Sequence, residues 1–310
     1  MTIKHFLGFR DLSRGDIRAL LEHAKAMKGA RARAQLHKGT LDADAPLRGR
    51  IIALLFEQPS TRTRVSFDVA MRQLGGASIT LNKAELQLGR GESIGDTARV
   101  LSRYVDAIMV RTDEERKLLE MARHATVPVI NGLTEAGHPC QVLADLMTLE
   151  EHFGSAEDKT IAWIGDCNNM CISWMEAAEK LAFRLHIAAP ATHQPSSHAI
   201  KEARARGAAI EIFGDPKQAV AGANCVMTDA WASMTHTDRD ARLAAFSGYQ
   251  VNEALMKLAA PGAVFLHCLP AHRGEETTDG VLDGPQSLAW DEAENRLHAQ
   301  KAILRWCLGA

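Results

Sequence analysis

Short, almost wholly apolar runs alternate along this chain with longer stretches whose apolar residues recur every three or four positions. Arg50-Ile51-Ile52-Ala53-Leu54-Leu55-Phe56 reads as a buried strand. The stretch from Arg64 to Leu74 reads as a helix with Val65, Val69 and Leu74 turned inward, stopped by Gly75-Gly76. The alternation continues with a strand over Ser78 to Leu81, a helix over Ser93 to Tyr104, a strand over Ala107 to Val110, a helix over Glu114 to Arg123 and a strand over Val127 to Ile130. Pro139 then opens a helix that runs to about Phe153, proline being tolerated in a first turn where no N–H is missed.

Residues 151–159 are polar and lack periodicity, which marks a boundary. The predicted domains are residues 1–148 and 149–290. In the second, strands are expected at 160–165, 185–189, 208–212, 223–228 and 263–268, with helices between them. A last helix, about Glu292 to Leu308 in the segment 291–310, has no strand of its own to cover and could return to either domain. Strands alternating with helices imply parallel sheets covered on both faces. The expected fold class is therefore α/β, with two doubly wound parallel-sheet domains.

Composition narrows the function. With 310 residues the chain is long enough for two domains with separate cores. Lys plus Arg number 36 against 38 Asp plus Glu, a net charge of −2. That balance argues against nucleic acid or an anionic membrane as partner. No apolar run reaches the roughly 18 to 20 residues of a membrane span, and the first ten residues lack the apolar core of a signal peptide. The six cysteines show no paired framework, as expected of reduced cytoplasmic thiols. Cys167 and Cys171 have no second Cys/His pair at zinc-ligand spacing, so no metal is expected.

Candidate chemistry sits where strands give way to helices. Ser60-Thr61-Arg62-Thr63-Arg64 lies at the start of a helix, where unpaired N–H groups favour an anion and disfavour cations. Two arginines there make sense with a phosphate, to which hydroxyl, backbone and guanidinium groups all donate. A capped helix bearing two solvated arginines is the alternative. In Gly137-His138-Pro139-Cys140-Gln141, His138 and Gln141 lie one turn apart and suit a carbonyl or amide group, although a lone histidine is also a common structural residue. Arg111 ends a strand, the end at which open α/β sheets bind ligands, or else is an ordinary surface terminus.

In the second half, Gly165-Asp166-Cys167-Asn168-Asn169 resembles a dinucleotide-binding turn but has asparagines where close-approach glycines are required, which disfavours a Rossmann-type oxidoreductase. Asp229, at another strand end, can anchor an ammonium. His267 and Cys268 are adjacent on a strand and point to opposite faces, so they cannot form a thiol–imidazole pair.

Together these motifs resemble the aspartate/ornithine carbamoyltransferase family, from about Phe6 to the C-terminus. Ser60-Thr61-Arg62-Thr63-Arg64 and His138-Pro139-Cys140-Gln141 look like the family's carbamoyl-phosphate signature, shared by both branches. His267-Cys268-Leu269-Pro270, Asp229-x-x-x-Ser233-Met234 and Asn169 look like the ornithine branch. The resemblance implies two domains with a crevice between them and a C-terminal helix returning to the first. It also implies carbamoyl transfer from carbamoyl phosphate to the δ-amine of L-ornithine, giving L-citrulline and phosphate, with no cofactor.

By position, the resemblance assigns carbamoyl phosphate to Ser60, Thr61, Arg62, Thr63, Gln87, Arg111, His138, Gln141, Cys268, Leu269 and Arg296. Arg62, Arg111, His138, Asp229 and Cys268 would carry the chemistry. Asn169, Asp229, Ser233 and Met234 would hold ornithine. Gln87 would serve a neighbour's active site in a homotrimer. One departure stands out: Ser233-Met234 is followed by Thr235, where the family's loop usually has glycine, and a β-branched residue does not easily take φ > 0. That leaves another amine acceptor, such as N-acetylornithine or putrescine, as the alternative. An inactive binding homologue is opposed by the intact Arg62, His138 and Cys268.

Overall fold

The computed structural model describes residues 3–85, 91–232 and 237–310, which form two units. The first runs to Met147 and takes in Asn295–Ala310. Its chain forms α1 (Arg14–Arg33), β1 (Ile51–Phe56), α2 (Thr61–Gln73), β2 (Ala77–Asn82), α3 (Ile94–Leu101), β3 (Ala107–Arg111), α4 (Glu115–His124), β4 (Val129–Leu133) and the start of α5 (Pro139–Phe153). The four strands pair in parallel in the order β2-β1-β3-β4. Ala53, Leu55, Ile108, Val110 and Val129 pack with Ala98, Leu118 and Met121 into a dry core. Because β1 leads to β2 on one side while β3 and β4 lie on the other, the direction of winding reverses between β1 and β3. In doubly wound sheets that reversal opens a crevice at the carboxyl ends of the two strands.

Two elements depart from the pattern-based expectation. Helix α1 lies in a stretch to which the strand–helix alternation assigned nothing. It starts at a capping box, in which Ser13 Oγ accepts the Asp16 N–H and Asp16 accepts the Ser13 N–H, and it buries Ile17, Leu20, Leu21, Ala24 and Met27. Helix α2 begins three residues earlier than read, and its inward row is Thr63, Phe67, Ala70, Met71 and Leu74. Val65 is instead 56% exposed. Phe67 sets the phase of the helix, and a residue two positions before it lies roughly 200° around the axis.

The second unit, Thr148–Glu294, contains β5 (Thr160–Ile164), α6 (Asn169–Ala178), β6 (Arg184–Ala188), α7 (Ser197–Ala205), β7 (Ala209–Phe213), α8 (Pro216–Val220), β8 (Cys225–Thr228), α9 (Arg239–Ala245), α10 (Glu253–Met256), β9 (Val264–His267), α11 (Asp279–Leu282) and the start of α12 (Ala289–Leu308). Its strands are also parallel, in the order β7-β6-β5-β8-β9. The winding reverses between β5 and β8. Ala162, Ile164, Val226 and Phe265 form its core with Val220, Leu255 and Leu282.

From Asn295 onward α12 belongs to the first unit, as expected. Polar bonds hold it there. Lys28 Nζ donates to Asn295 Oδ1 at 2.7 Å, Lys301 Nζ to Gln73 Oε1 at 3.1 Å, and Trp306 Nε1 to Asp16 Oδ1 at 3.2 Å. Lys301 is fully buried and pairs with Asp42, which also takes Arg31 at 2.7 Å. No described helix is long and apolar enough to cross a membrane.

Candidate active site

The first half of the site stands on the reversal point of the first unit. β1 ends at Phe56, and four residues later Ser60 caps α2, its Oγ accepting the Thr63 N–H at 3.3 Å. Thr61 and Arg62, in the first turn, are exposed, whereas Thr63 turns inward at 1% exposure. Arg62 makes no hydrogen bond or ion pair within the described residues. Arg111 ends β3, half-buried beside a register shift, and its carbonyl accepts the Glu57 N–H at 2.9 Å, which ties the ends of β1 and β3 together. Glu57 is already engaged by Lys117 Nζ at 2.9 Å and by the Thr112 hydroxyl. It is therefore not the arginines' counter-ion.

His138 lies between β4 and α5 and is 4% exposed. Its imidazole is held well below the ordinary histidine range, first by burial and then by the positive charges of Arg296, Arg111 and Arg62. Three guanidinium groups from three separate elements thus bear on one neutral ring. Arg296 arrives on α12 and is 4% exposed. It donates from Nη2 to Thr63 Oγ1 at 2.7 Å and from Nη1 to Gln141 Oε1.

Gln141 is fully buried, and its Nε2 donates to Asp145 Oδ1 at 2.8 Å. Both ends of the Gln141 amide are engaged within the fold, so a ligand would use its second lone pair or second N–H. Cys140 faces away: its thiol donates to the Asn131 carbonyl at 3.2 Å, and burial pushes its pKa up to about 12.

The second half stands on the reversal point of the second unit. After β5 the chain turns at Gly165, whose φ is +119° and where a Cβ would meet Trp231 Nε1 at 3.0 Å. Asp166 takes the buried Arg242 guanidinium, which stiffens the turn. Asn168 caps α6, its Oδ1 accepting the Met170 N–H at 3.0 Å, while its Nδ2 donates to Asp229 Oδ2 at 2.7 Å. Asp229 follows β8, and its Oδ1 accepts the Ala230 N–H at 2.8 Å and the Cys268 thiol at 3.2 Å. Asn169, Asp229 and Cys268 are all half-buried.

His267 is fully buried, and one of its ring nitrogens lies within 4.8 Å of the Cys268 sulfur and an Asp229 oxygen, so these strand neighbours do not diverge as the alternation implied. The His267 Nδ1 accepts the Leu269 N–H at 2.9 Å, so the ring proton sits on Nε2, 3.3 Å from Glu276 Oε1. Both ring nitrogens are thereby committed, and His267 adds no free ligand to the nearby Asp229 and Cys268.

Within each unit the structure brings the candidate residues together: Arg62, Thr63, Arg111, His138, Gln141 and Arg296 in the first, and Asp229, Cys268 and Leu269 in the second, beside the turn carrying Asn169. Gln87, Ser233, Met234 and Thr235 lie outside the described residues. Sequence reasoning passed over Asn168 as the partner of Asp229 and Asp145 as the partner of Gln141. The only signals for them were an N-cap asparagine and a carboxylate one turn after Gln141.

Comparison with known proteins then places the chain. Residues 4–151 match the family model described as aspartate/ornithine carbamoyltransferase, carbamoyl-P binding domain, and residues 157–307 match the Asp/Orn binding domain of the same family. The ornithine carbamoyltransferase of Rhizobium meliloti (strain 1021) is 55% identical over 307 residues, covering 99% of each chain. That of Rhodopseudomonas palustris (strain BisA53) is 57% identical over 307 residues, covering 99% of this chain and 98% of the relative. Among solved structures, the ornithine carbamoyltransferase from Pyrococcus furiosus is 44% identical with a TM-score of 0.92, covering 100% of this chain and 99% of that one.

Proposed function

Because this chain belongs to the aspartate/ornithine carbamoyltransferase family, we propose that it transfers the carbamoyl group of carbamoyl phosphate to the δ-amine of L-ornithine, giving L-citrulline and phosphate. The observation that carries the reading is the convergence of Arg62, at the start of α2, with Arg111 and Arg296 on a neutral, buried His138. A phosphoryl group is the anion that guanidinium, hydroxyl and helix N–H groups together suit. Ser60, Thr61, Arg62 and Thr63 are assigned to the phosphate, and Arg111 to phosphate and carbonyl oxygens.

The neutral His138 suits the carbamoyl oxygen. Held below its usual range, its ring donates a hydrogen bond without adding a fourth charge. Arg296 acts on the carbamoyl group and holds Gln141 and Thr63 in place. On the acceptor side Asp229 takes the ornithine ammonium, and its pinning by Asn168 and Ala230 supports that role. Asn169, Ser233 and Met234 are assigned to the rest of ornithine, and Cys268 with the Leu269 carbonyl to the reacting amine.

Chemistry follows from these assignments. The neutral amine attacks the carbamoyl carbon, and the negative charge that grows on oxygen is stabilised by Arg62, Arg111 and His138. Phosphate then leaves from the tetrahedral intermediate as its carbon–oxygen bond breaks, taking up the proton that the attacking amine nitrogen gives up. No covalent enzyme intermediate is needed, and much of the acceleration comes from holding the two substrates in register. The family resemblance supports a homotrimer in which Gln87 serves a neighbouring copy, and the six free cysteines support a reducing, cytoplasmic setting.

The test is to supply carbamoyl phosphate with ornithine, N-acetylornithine, putrescine or aspartate and to follow ureido product and phosphate together. Ornithine is expected to give the highest kcat/KM. Faster carbamoylation of another amine would move the acceptor assignment and point to Thr235.

A further inference from the structure

The loop that follows Cys268 and Leu269 carries a second constellation, apart from the residues assigned to either substrate. His272, Glu275 and Glu276 each offer a ligand atom, and the three atoms lie within 4.8 Å of one another. Glu276 is fully buried, and the side chains of Glu275 and His272 are 25% and 35% exposed. In each of the two carboxylates one oxygen is satisfied. Glu276 Oε1 lies 3.3 Å from His267 Nε2 and accepts the His272 N–H at 2.5 Å, and Glu275 Oε1 accepts the Arg239 guanidinium.

The other atoms are not satisfied. Among the described residues, Glu276 Oε2, Glu275 Oε2 and His272 Nδ1 are shut off from solvent and have no hydrogen-bond partner. Leaving a buried carboxylate oxygen unpaired is costly, and here two of them converge with a ring nitrogen.

We propose that His272 Nδ1, Glu275 Oε2 and Glu276 Oε2 bind one divalent transition-metal cation of the Mn²⁺ or Zn²⁺ class. The 3.7 Å between His272 Nδ1 and Glu276 Oε2 is too long for a hydrogen bond but close to the roughly 3–3.6 Å that separates two ligands of one such ion. Two carboxylates and one imidazole form a borderline-hard donor set, which accepts Mn²⁺ more readily than a thiolate site does.

The charges agree. Among the described residues Arg239 is the one arginine or lysine bonded to the cluster, and it meets Glu275 Oε1, while His267 faces Glu276 Oε1 from Nε2 and accepts the Leu269 N–H on Nδ1. The ligands are also held in advance. Gln250 Nε2 donates to the carbonyls of Gly274 and Glu275 at 2.9 and 3.0 Å, and the Gly274 N–H to the Thr277 carbonyl at 2.8 Å. Glu275 also lines a cavity of about 500 Å³ with Trp231, Gln250 and Asn252. A bound cation would brace the loop that leads away from Cys268 and Leu269.

The experiment uses the full chain, stripped with chelator, dialysed and titrated with Mn²⁺ while the free ion is followed by EPR. We expect one Mn²⁺ bound per chain, and affinity at least about tenfold weaker in Glu275→Gln and in Glu276→Gln, since each removes a charged ligand. Mn²⁺ should also raise the melting temperature of the unaltered chain more than that of either variant. Should Glu276→Gln fail to fold, Glu275→Gln, whose side chain is less buried, carries the test. Absence of Mn²⁺ uptake at millimolar concentration, as when a trapped water bridges these groups, would overturn the proposal. So would uptake that both variants leave unchanged.

Discussion

The two reversal points are built alike and loaded oppositely. After β1 and β3 the first unit gathers Arg62, Arg111 and Arg296 around His138, and the Glu57 carboxylate just past β1 is already taken by Lys117 and Thr112. After β5 and β8 the second unit presents Asp229, oriented by Asn168, the Ala230 N–H and the Cys268 thiol. One end of the same architecture masses positive charge and the other holds a carboxylate that can meet a cation. Topology supplies the crevice in each unit, and the sign of the charge at the strand ends decides which ligand belongs there.

Substitutions can break that division. The largest effect is expected from Arg62→Lys, which replaces a planar fork by a point charge. Turnover should fall about 10²–10³-fold, with the KM for ornithine little changed, as read from steady-state kinetics with each substrate varied in turn. A loss of less than about tenfold would remove Arg62 from the transition state.

Asp229→Asn comes next. It should lower kcat/KM for ornithine about 10–100-fold, the worth of one hydrogen bond to a charged group, while leaving the affinity for carbamoyl phosphate unchanged. An equal loss on the donor side would mean that the two halves are not separate in function.

The third effect concerns stability and leaves catalysis at neutral pH untouched. His138 and His298 both hold protons less readily in the fold than in the unfolded chain, whose histidines titrate near 6.5, and His298 is lowered to about 3 by burial and then by Lys301 and other cations. As pH falls below about 6.5 the unfolded chain takes up protons first, so stability present above that pH is lost toward acid. For His298 alone the loss by pH 4.5 is about 2–3 kcal/mol. Melting temperatures from about pH 4 to 8 should therefore fall less steeply for His298→Gln than for the unaltered chain, and parallel curves would contradict this.

How much of this was legible follows from how local each signal is. The strands and Ser60-Thr61-Arg62-Thr63-Arg64 could be read because apolar runs and a strand-to-helix junction are contiguous. Val65 was misplaced because the phase of α2 depends on what Phe67 and Thr63 meet, not on which residues are apolar. Helix α1 was overlooked although Ser13 and Asp16 carry a capping-box pattern, because it precedes the first strand of the alternation that guided the reading. Arg296, more than 150 residues from Gln141, was assigned through family resemblance, since no spacing argument reaches across that separation. Asn168 looked equivalent to Asn169 until its side chain was seen to hold Asp229. The His272–Glu275–Glu276 cluster carries no thiol pair, and cysteine spacing gives no sign of it.

The central claim is that the three guanidinium groups around His138 hold a phosphoryl group. Calorimetric titration of the chain with inorganic phosphate at pH 7, in the absence of any amine, measures it most directly. One phosphate per chain is predicted, bound at least about tenfold more weakly by Arg62→Lys and equally well by Asp229→Asn. Failure to take up phosphate, or an affinity that Arg62→Lys leaves untouched, would contradict the account.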